Sequence, residues 1–277
     1  MIGVRFFDRE METQVTREEM IKHELARVAA DKEGNGLFLQ YQPILDLRTN
    51  RIYGFEALAR LKVDNLGLIP PLEFIPIAEK TKLIIPVGER IIHRAFSFQR
   101  KLMQRGYNDI IVSVNISPIQ LFREDFAEFL CGCMRQAGVN PQNVILEITE
   151  SVFASNYENI NVIVEKLKYC GVRIALDDFG TGYSSLAQSR DINANYLKID
   201  KSFVDELLPL KEDSITGDII SMAHKMNHCV VAEGIEEEKQ RQYLLENGCD
   251  LIQGYLISRP LDKNLAFEFL EKHNQGP

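Results

Sequence analysis

Ile174-Ala175-Leu176-Asp177-Asp178-Phe179-Gly180-Thr181-Gly182-Tyr183-Ser184-Ser185 is the stretch on which the reading of the fold turns. It opens as a strand, since Val172, Ile174 and Leu176 are apolar and the run is short enough for burial on both faces. Two carboxylates follow side by side, then a loop with two glycines. Neighbouring strand residues point to opposite faces, so both acids reach one site only if the strand ends or bends there. The glycines allow such a bend. Two adjacent acids repel unless something cationic lies between them. A solvated turn uses the same residue types, but similar strand ends recur along the chain and weigh against it.

Working outward, Val144-Ile145-Leu146-Glu147-Ile148-Thr149-Glu150 is a strand with acids near its end, and a helix over about 157–169 joins it to the opening stretch. Ile110–Asn115 is a strand ending in an amide, and Ser117-Pro118 starts the next helix. Downstream strands are Tyr196–Asp200, Cys229–Gly234 and Asp250–Gly254, with a last helix from about Asp262 to Lys272. Upstream, residues 1–15 read as irregular. Thr16-Arg17-Glu18-Glu19 has the form of a capping box, and helical spacing runs from there to about Lys32, where Gly34-Asn35-Gly36 stops it. Leu37–Leu47 and Arg51–Ala59 form an antiparallel hairpin about Arg48-Thr49-Asn50. Helices are expected near 71–80 and 87–106.

Alternating strands and helices imply a parallel sheet. Eight strands in about 240 residues match a (β/α)₈ barrel better than a doubly wound sheet. The expected fold is therefore a modified (β/α)₈ TIM-type barrel with an antiparallel first strand pair and an N-terminal helix. The division is an N-terminal linker and helix over 1–36 and a barrel domain over 37–277. Glu56, Asn115, Glu147, Asp177, Asp178, Lys198, Glu233 and Gln253 all fall near C-terminal strand ends, which in a barrel form one ring. Oxygen-only donors of this kind suit Mg²⁺ or Mn²⁺. Two such ions make a clamp for in-line phosphoryl displacement. Accident accounts for any one acid at a strand end, but it is a poor reading for seven strands together.

At 45% hydrophobic and 26% charged, 277 residues suffice for one large or two small globular domains. No apolar run has the length of a membrane span and no apolar stretch follows Met1, so a soluble, cytoplasmic chain is expected. Five scattered cysteines without a Cys-x-x-Cys pair fit a reducing compartment better than a disulfide framework. Cys131 and Cys133 read as small packing residues on a helix. The net charge of −8 argues against binding a nucleic-acid polymer by charge. His224 and His228 have a zinc-like spacing but no third ligand, so they read as ion-paired or solvated.

These motifs resemble the EAL domain family, the bacterial phosphodiesterases of cyclic di-GMP. The resemblance covers about residues 37–272. It rests on Tyr41-Gln42-Pro43, Glu56-Ala57-Leu58-x-Arg60, Val112–Ser117, Glu147–Ser151, Asp177–Leu186, Leu197–Asp200, Ala232-Glu233-Gly234 and Gln253-Gly254-Tyr255, in order. It implies one metal held by Glu56, Asn115, Glu147 and Asp177, and a second by Asp177 and Asp178. Lys198, Glu233 and Gln253 would hold waters and substrate, and Glu150 would anchor the loop Phe179–Ser185. Implied substrate contacts are Gln42, Leu58, Arg60, Asp200, Gly234, Tyr255 and Pro260. Leu61 departs from a frequent Trp but removes no catalytic group. The implied activity is hydrolysis of cyclic di-GMP to linear pGpG with two Mg²⁺ or Mn²⁺ ions, Ca²⁺ being inhibitory. The alternative is a non-catalytic cyclic di-GMP receptor. A homodimer touching through Ser184–Asn193 is also implied. Arg5-Phe6-Phe7-Asp8 before a charged helix resembles the junction after a GGDEF domain, against the alternative of a freestanding domain with a capping helix.

Overall fold

The computed structural model describes residues 9–31, 35–155, 157–180, 193–208 and 214–274. The chain forms two compact units, Met1–Phe38 with Ala59–Ile91, and Leu39–Leu58 with Ile92–Pro277.

In the first unit, α1 spans Arg9–Ala30. It begins seven residues before Thr16, where the sequence placed its start. Arg9–Val15 is rich in strong helix formers, so the capping-box residues lie inside the helix rather than at its end. Ile21, Leu25 and Val28, spaced four and three residues apart, are fully buried along one stripe. A short strand β3, Gly67–Ile69, pairs antiparallel with Leu61–Val63, the end of β2 (Arg51–Val63). Helix α2, Pro71–Lys80, follows. Arg17 grips the Glu73 carboxylate through Nε and Nη2, the latter at 2.9 Å.

The second unit is the barrel. Its strands are β1 (Leu37–Asp46), β2, β4 (Ile111–Asn115), β5 (Val144–Thr149), β6 (Arg173–Phe179), β7 (Tyr196–Ile199), β8 (Cys229–Ala232) and β9 (Leu251–Gln253). Neighbours run β1-β9-β8-β7-β6-β5-β4-β2, and a β1–β2 pairing closes the ring. The barrel pairs β2–β4, β4–β5, β5–β6, β6–β7, β7–β8 and β8–β9 are parallel, while β1 runs antiparallel to β9. Around them lie α3 (Ile84–Gln104), α4 (Pro118–Leu121), α5 (Phe126–Ala137), α6 (Glu150–Ser155), α7 (Tyr157–Tyr169), α8 (Lys201–Asp205), α9 (Thr216–Lys225), α10 (Glu238–Glu246) and α11 (Lys263–Asn274). No helix among the described residues is long and apolar enough to cross a membrane.

The barrel's interior is built in layers. Ile44, Ile111, Ile145, Ala175, Tyr196, Val231 and Leu251, one from each of seven strands, form a buried apolar cluster. On the eighth strand Gly54 faces Ile111, and a Cβ there would meet the Ile111 carbonyl at 2.6 Å. Two residues further along each parallel strand, side chains return to the same face. The residues met there are Glu56, Ser113, Glu147, Asp177, Lys198, Glu233 and Gln253, and the antiparallel β1 contributes Gln42 by running the other way. An apolar floor thus carries a polar layer at the C-terminal mouth of the strands.

Two cysteine readings change. Cys131 and Cys170 are joined in a disulfide between α5 and the end of α7, with Cα atoms 5.8 Å apart. Their 39-residue separation hid the pairing, since only the packing of the two helices brings them together. Cys133, Cys229 and Cys249 are free.

Candidate active site

The opening stretch solves its two-face problem through its backbone. β6 loses register with β7 between Leu176 and Phe179, a bulge that re-aims the side chains there. Asp178 itself adopts φ 54°, and Gly180 follows at φ 92°. A non-glycine residue in the left-handed region stores strain of the kind that gathers at functional sites. The bend therefore starts on an acid, before the glycines that the sequence singled out. Thr181–Ser185 lie outside the described residues, as do all but Asn193 of Ser184–Asn193 and the whole of Arg5–Asp8.

Lys198 is the centre of the polar layer. Its Nζ lies 2.7 Å from Glu147 Oε2, 3.1 Å from Asp177 Oδ1 and 2.5 Å from Glu233 Oε1. Glu56 accepts from Asn115 Nδ2 at 2.7 Å on one oxygen and from Gln253 Nε2 at 2.6 Å on the other. Gln253 also donates to Gln42 Oε1 at 3.2 Å. Glu150, buried at the start of α6, accepts from the backbone N–H of Gly180 at 2.9 Å.

Burial penalises every charge here, and the partners decide which groups keep theirs. Burial works against the Glu56 charge, but Lys198 and the amides of Gln253 and Asn115 outweigh it and hold Glu56 below the usual carboxylate range. Burial and the Glu56 charge push Glu147 well above that range. Burial raises Glu233 to about 8 despite Lys198, with Asp177 adding to the rise. Asp178 is raised by burial and by Asp177. Burial lowers Lys198, yet the surrounding carboxylates outweigh it, so the ammonium persists. One lysine cannot neutralise this many acids, so burial and mutual repulsion raise Glu147, Glu233 and Asp178.

Among the described residues, no group of three or more His, Cys, Asp or Glu side chains is arranged to hold a metal ion. The acids converge on Lys198 instead. Their chemistry nevertheless fits divalent cations. The donors are oxygens only, negative charge is in excess, and the buried Oε1 atom of Gln253 accepts no hydrogen bond.

A cavity of about 390 Å³ opens over this layer, lined by Gln42, Glu56, Leu58, Glu233, Gly234, Gln253 and Tyr255 from the expected set. Its lining also includes Lys201, Glu236 and Gly254. Other expected contacts are engaged elsewhere. Asp200 caps α8, its Oδ1 accepting from Ser202 N at 3.0 Å. Arg60 belongs to the first unit, where Nη1 donates to the Ala59 carbonyl at 2.9 Å. Pro260 is not among the lining residues. Sequence reading missed Ser113, Lys201 and Glu236. The two-residue step from Ile111 would have found Ser113, a buried hydroxyl without a partner. Nothing local marks Lys201 or Glu236. His224 meets Asp250 at 2.9 Å and His228 meets the Ala194 carbonyl at 3.0 Å, so neither points to zinc.

The fold and this mouth define a parallel-stranded barrel protein with an acid-and-lysine centre, placed where barrel enzymes keep their active sites. Comparison with known proteins agrees. The EAL domain family profile matches residues 25–260, and the chain belongs to that family. It is 36% identical over 272 residues to the cyclic di-GMP phosphodiesterase NbdA of Pseudomonas aeruginosa, covering 98% of this chain and 34% of NbdA. It is 34% identical over 260 residues to that organism's bifunctional diguanylate cyclase/cyclic di-GMP phosphodiesterase MucR, covering 94% of this chain and 38% of MucR. The chain thus spans about a third of the length of these curated relatives. The solved PaMucR phosphodiesterase in complex with c-di-GMP superposes with a TM-score of 0.83 at 34% identity, covering 89% of this chain and 99% of that one.

Proposed function

We propose that this chain hydrolyses one phosphodiester of cyclic di-GMP, giving linear pGpG. The observation that carries the reading is the polar layer: several carboxylates drawn around one buried lysine, directly beneath a cavity, in a chain whose relatives are named cyclic di-GMP phosphodiesterases. Glu56, Asn115, Glu147, Asp177 and Asp178 would hold two divalent cations, Mg²⁺ or Mn²⁺. When bound, such ions neutralise phosphate charge and activate water.

The chain's own residues supply the rest. Lys198 stays protonated, ties three acids into one geometry and has the ammonium to orient a water for in-line attack on phosphorus. Gln253 and Asn115 hold Glu56 ionised and fix its direction. Glu150 holds the backbone just after Asp178. Gln42, Leu58, Gly234 and Tyr255 form the wall against which the nucleotide would rest. Arg60, Asp200 and Pro260 are further proposed substrate contacts. Attack breaks one P–O bond, the ring opens, and the product carries a terminal phosphate.

The testing experiment is incubation with cyclic di-GMP and Mn²⁺ or Mg²⁺, with chromatographic detection of pGpG. Binding without turnover would assign the receptor role instead. The same reading includes a homodimer, and a monomeric mass by light scattering alongside full activity would remove that part of it.

A further inference from the structure

Among the described residues Lys201 is the one basic residue lining the cavity, against Glu56, Glu233 and Glu236. Its placement is built, not incidental. Gly234 sits at φ 71°, and a Cβ there would fall 2.3 Å from Lys201 Cγ, so the lysine stem packs where any other residue would intrude. The stem is thereby anchored while the ammonium remains partly exposed. It bonds Asp205 Oδ1 at 2.9 Å and Glu236 Oε1 at 3.0 Å, with the Gly234 carbonyl at 3.4 Å. Lys198, the other lysine of this mouth, is buried and committed to three acids.

Resting on the reading of the site given above, we infer that Lys201 binds the non-reacting phosphate of the cyclic dinucleotide and that Glu236 competes with the ligand for it. The ligand carries two phosphates. The reacting one belongs beside the acids and Lys198. The other, held away from that layer by the ring of the ligand, meets Lys201 on the cavity wall. An anchored ammonium with exposed partners exchanges them for a phosphate oxygen at low cost, because surface ion pairs are worth little.

The test measures kcat and KM for cyclic di-GMP in Mn²⁺ with wild type, Lys201→Met and Glu236→Gln. A strut that merely held the Gly234 loop would be weakened by both variants in the same direction. A phosphate contact makes them opposite. Lys201→Met is expected to raise KM about tenfold, the scale of one charge-assisted hydrogen bond, with kcat within twofold. Glu236→Gln is expected to lower KM about threefold, in line with release of an exposed pair. Unchanged KM in Lys201→Met, or a rise in KM in both variants, would overturn the assignment while leaving the phosphodiesterase reading intact. Wild-type protein that neither binds nor cleaves cyclic di-GMP would overturn both.

Discussion

At the residue scale the determining fact is one ammonium among several buried carboxylates. Lys198 was legible as a strand-end cation, because its position matched the acids on neighbouring strands. Its three partners were not legible, since they depend on which acids the barrel register sets side by side. Removing one partner of a buried ion network leaves the others uncompensated. Lys198→Met is therefore expected to destabilise the metal-free protein by about 3–5 kcal/mol. The loss should be larger at pH 8 than at pH 6, because Glu233, raised to about 8, sheds its charge as pH falls and so relieves the repulsion. Thermal melts at the two pH values check this. Equal loss at both would show that the carboxylates are not the source. Asp200 teaches the opposite lesson: the same residue type at a strand end also serves as a helix cap, and sequence position alone does not separate the roles.

At the element scale, strand ends and hairpin were readable because period-two patterning and turn residues are local signals. Boundaries failed where one local signal outweighed another or an element was too short to read. α1 extends toward the N-terminus beyond its apparent cap, and β3 is too short to leave a pattern. α6 begins at Glu150 itself, so the residue read as the end of a strand is the first residue of a helix. That change gives Glu150 its reach to the Gly180 N–H beyond the strained Asp178. Glu150→Ala should then slow hydrolysis on the order of 10²-fold, the scale attached to a roughly 1 Å misplacement. Metal affinity should hold, because Glu150 is not among the proposed metal-holding residues. Kinetics and a Mn²⁺ titration on the same variant check both parts. Wild-type turnover at saturating metal would remove the positioning role.

At the scale of the whole molecule, an apolar floor beneath a polar layer is what turns a barrel into a site. The barrel was legible from alternating strands and helices. The antiparallel β1 was also legible, from its hairpin turn, and it is the device that brings Gln42 into the layer from the opposite direction. The disulfide and the Lys201–Glu236 rim were illegible, because each joins segments far apart in sequence. An oxygen-only centre accepts Ca²⁺, which takes 6–8 ligands at about 2.3–2.6 Å and tolerates irregular geometry. Ca²⁺ should therefore support binding of the dinucleotide, seen by calorimetry, while turnover falls. Hydrolysis in Ca²⁺ at the Mg²⁺ rate would contradict the expectation that the metal geometry governs attack.

The most direct measurement compares wild-type protein with Glu56→Ala, each incubated with cyclic di-GMP in Mn²⁺, in Mg²⁺ and in chelator, with products separated by chromatography. Wild type should yield linear pGpG with either metal and none in chelator. Glu56→Ala, still folded by circular dichroism, should lose more than about 10²-fold in rate, because Glu56 anchors the Asn115 and Gln253 amides as well as the proposed cation. Intact cyclic di-GMP recovered from wild type under every condition, or equal pGpG from the folded variant, would contradict the account.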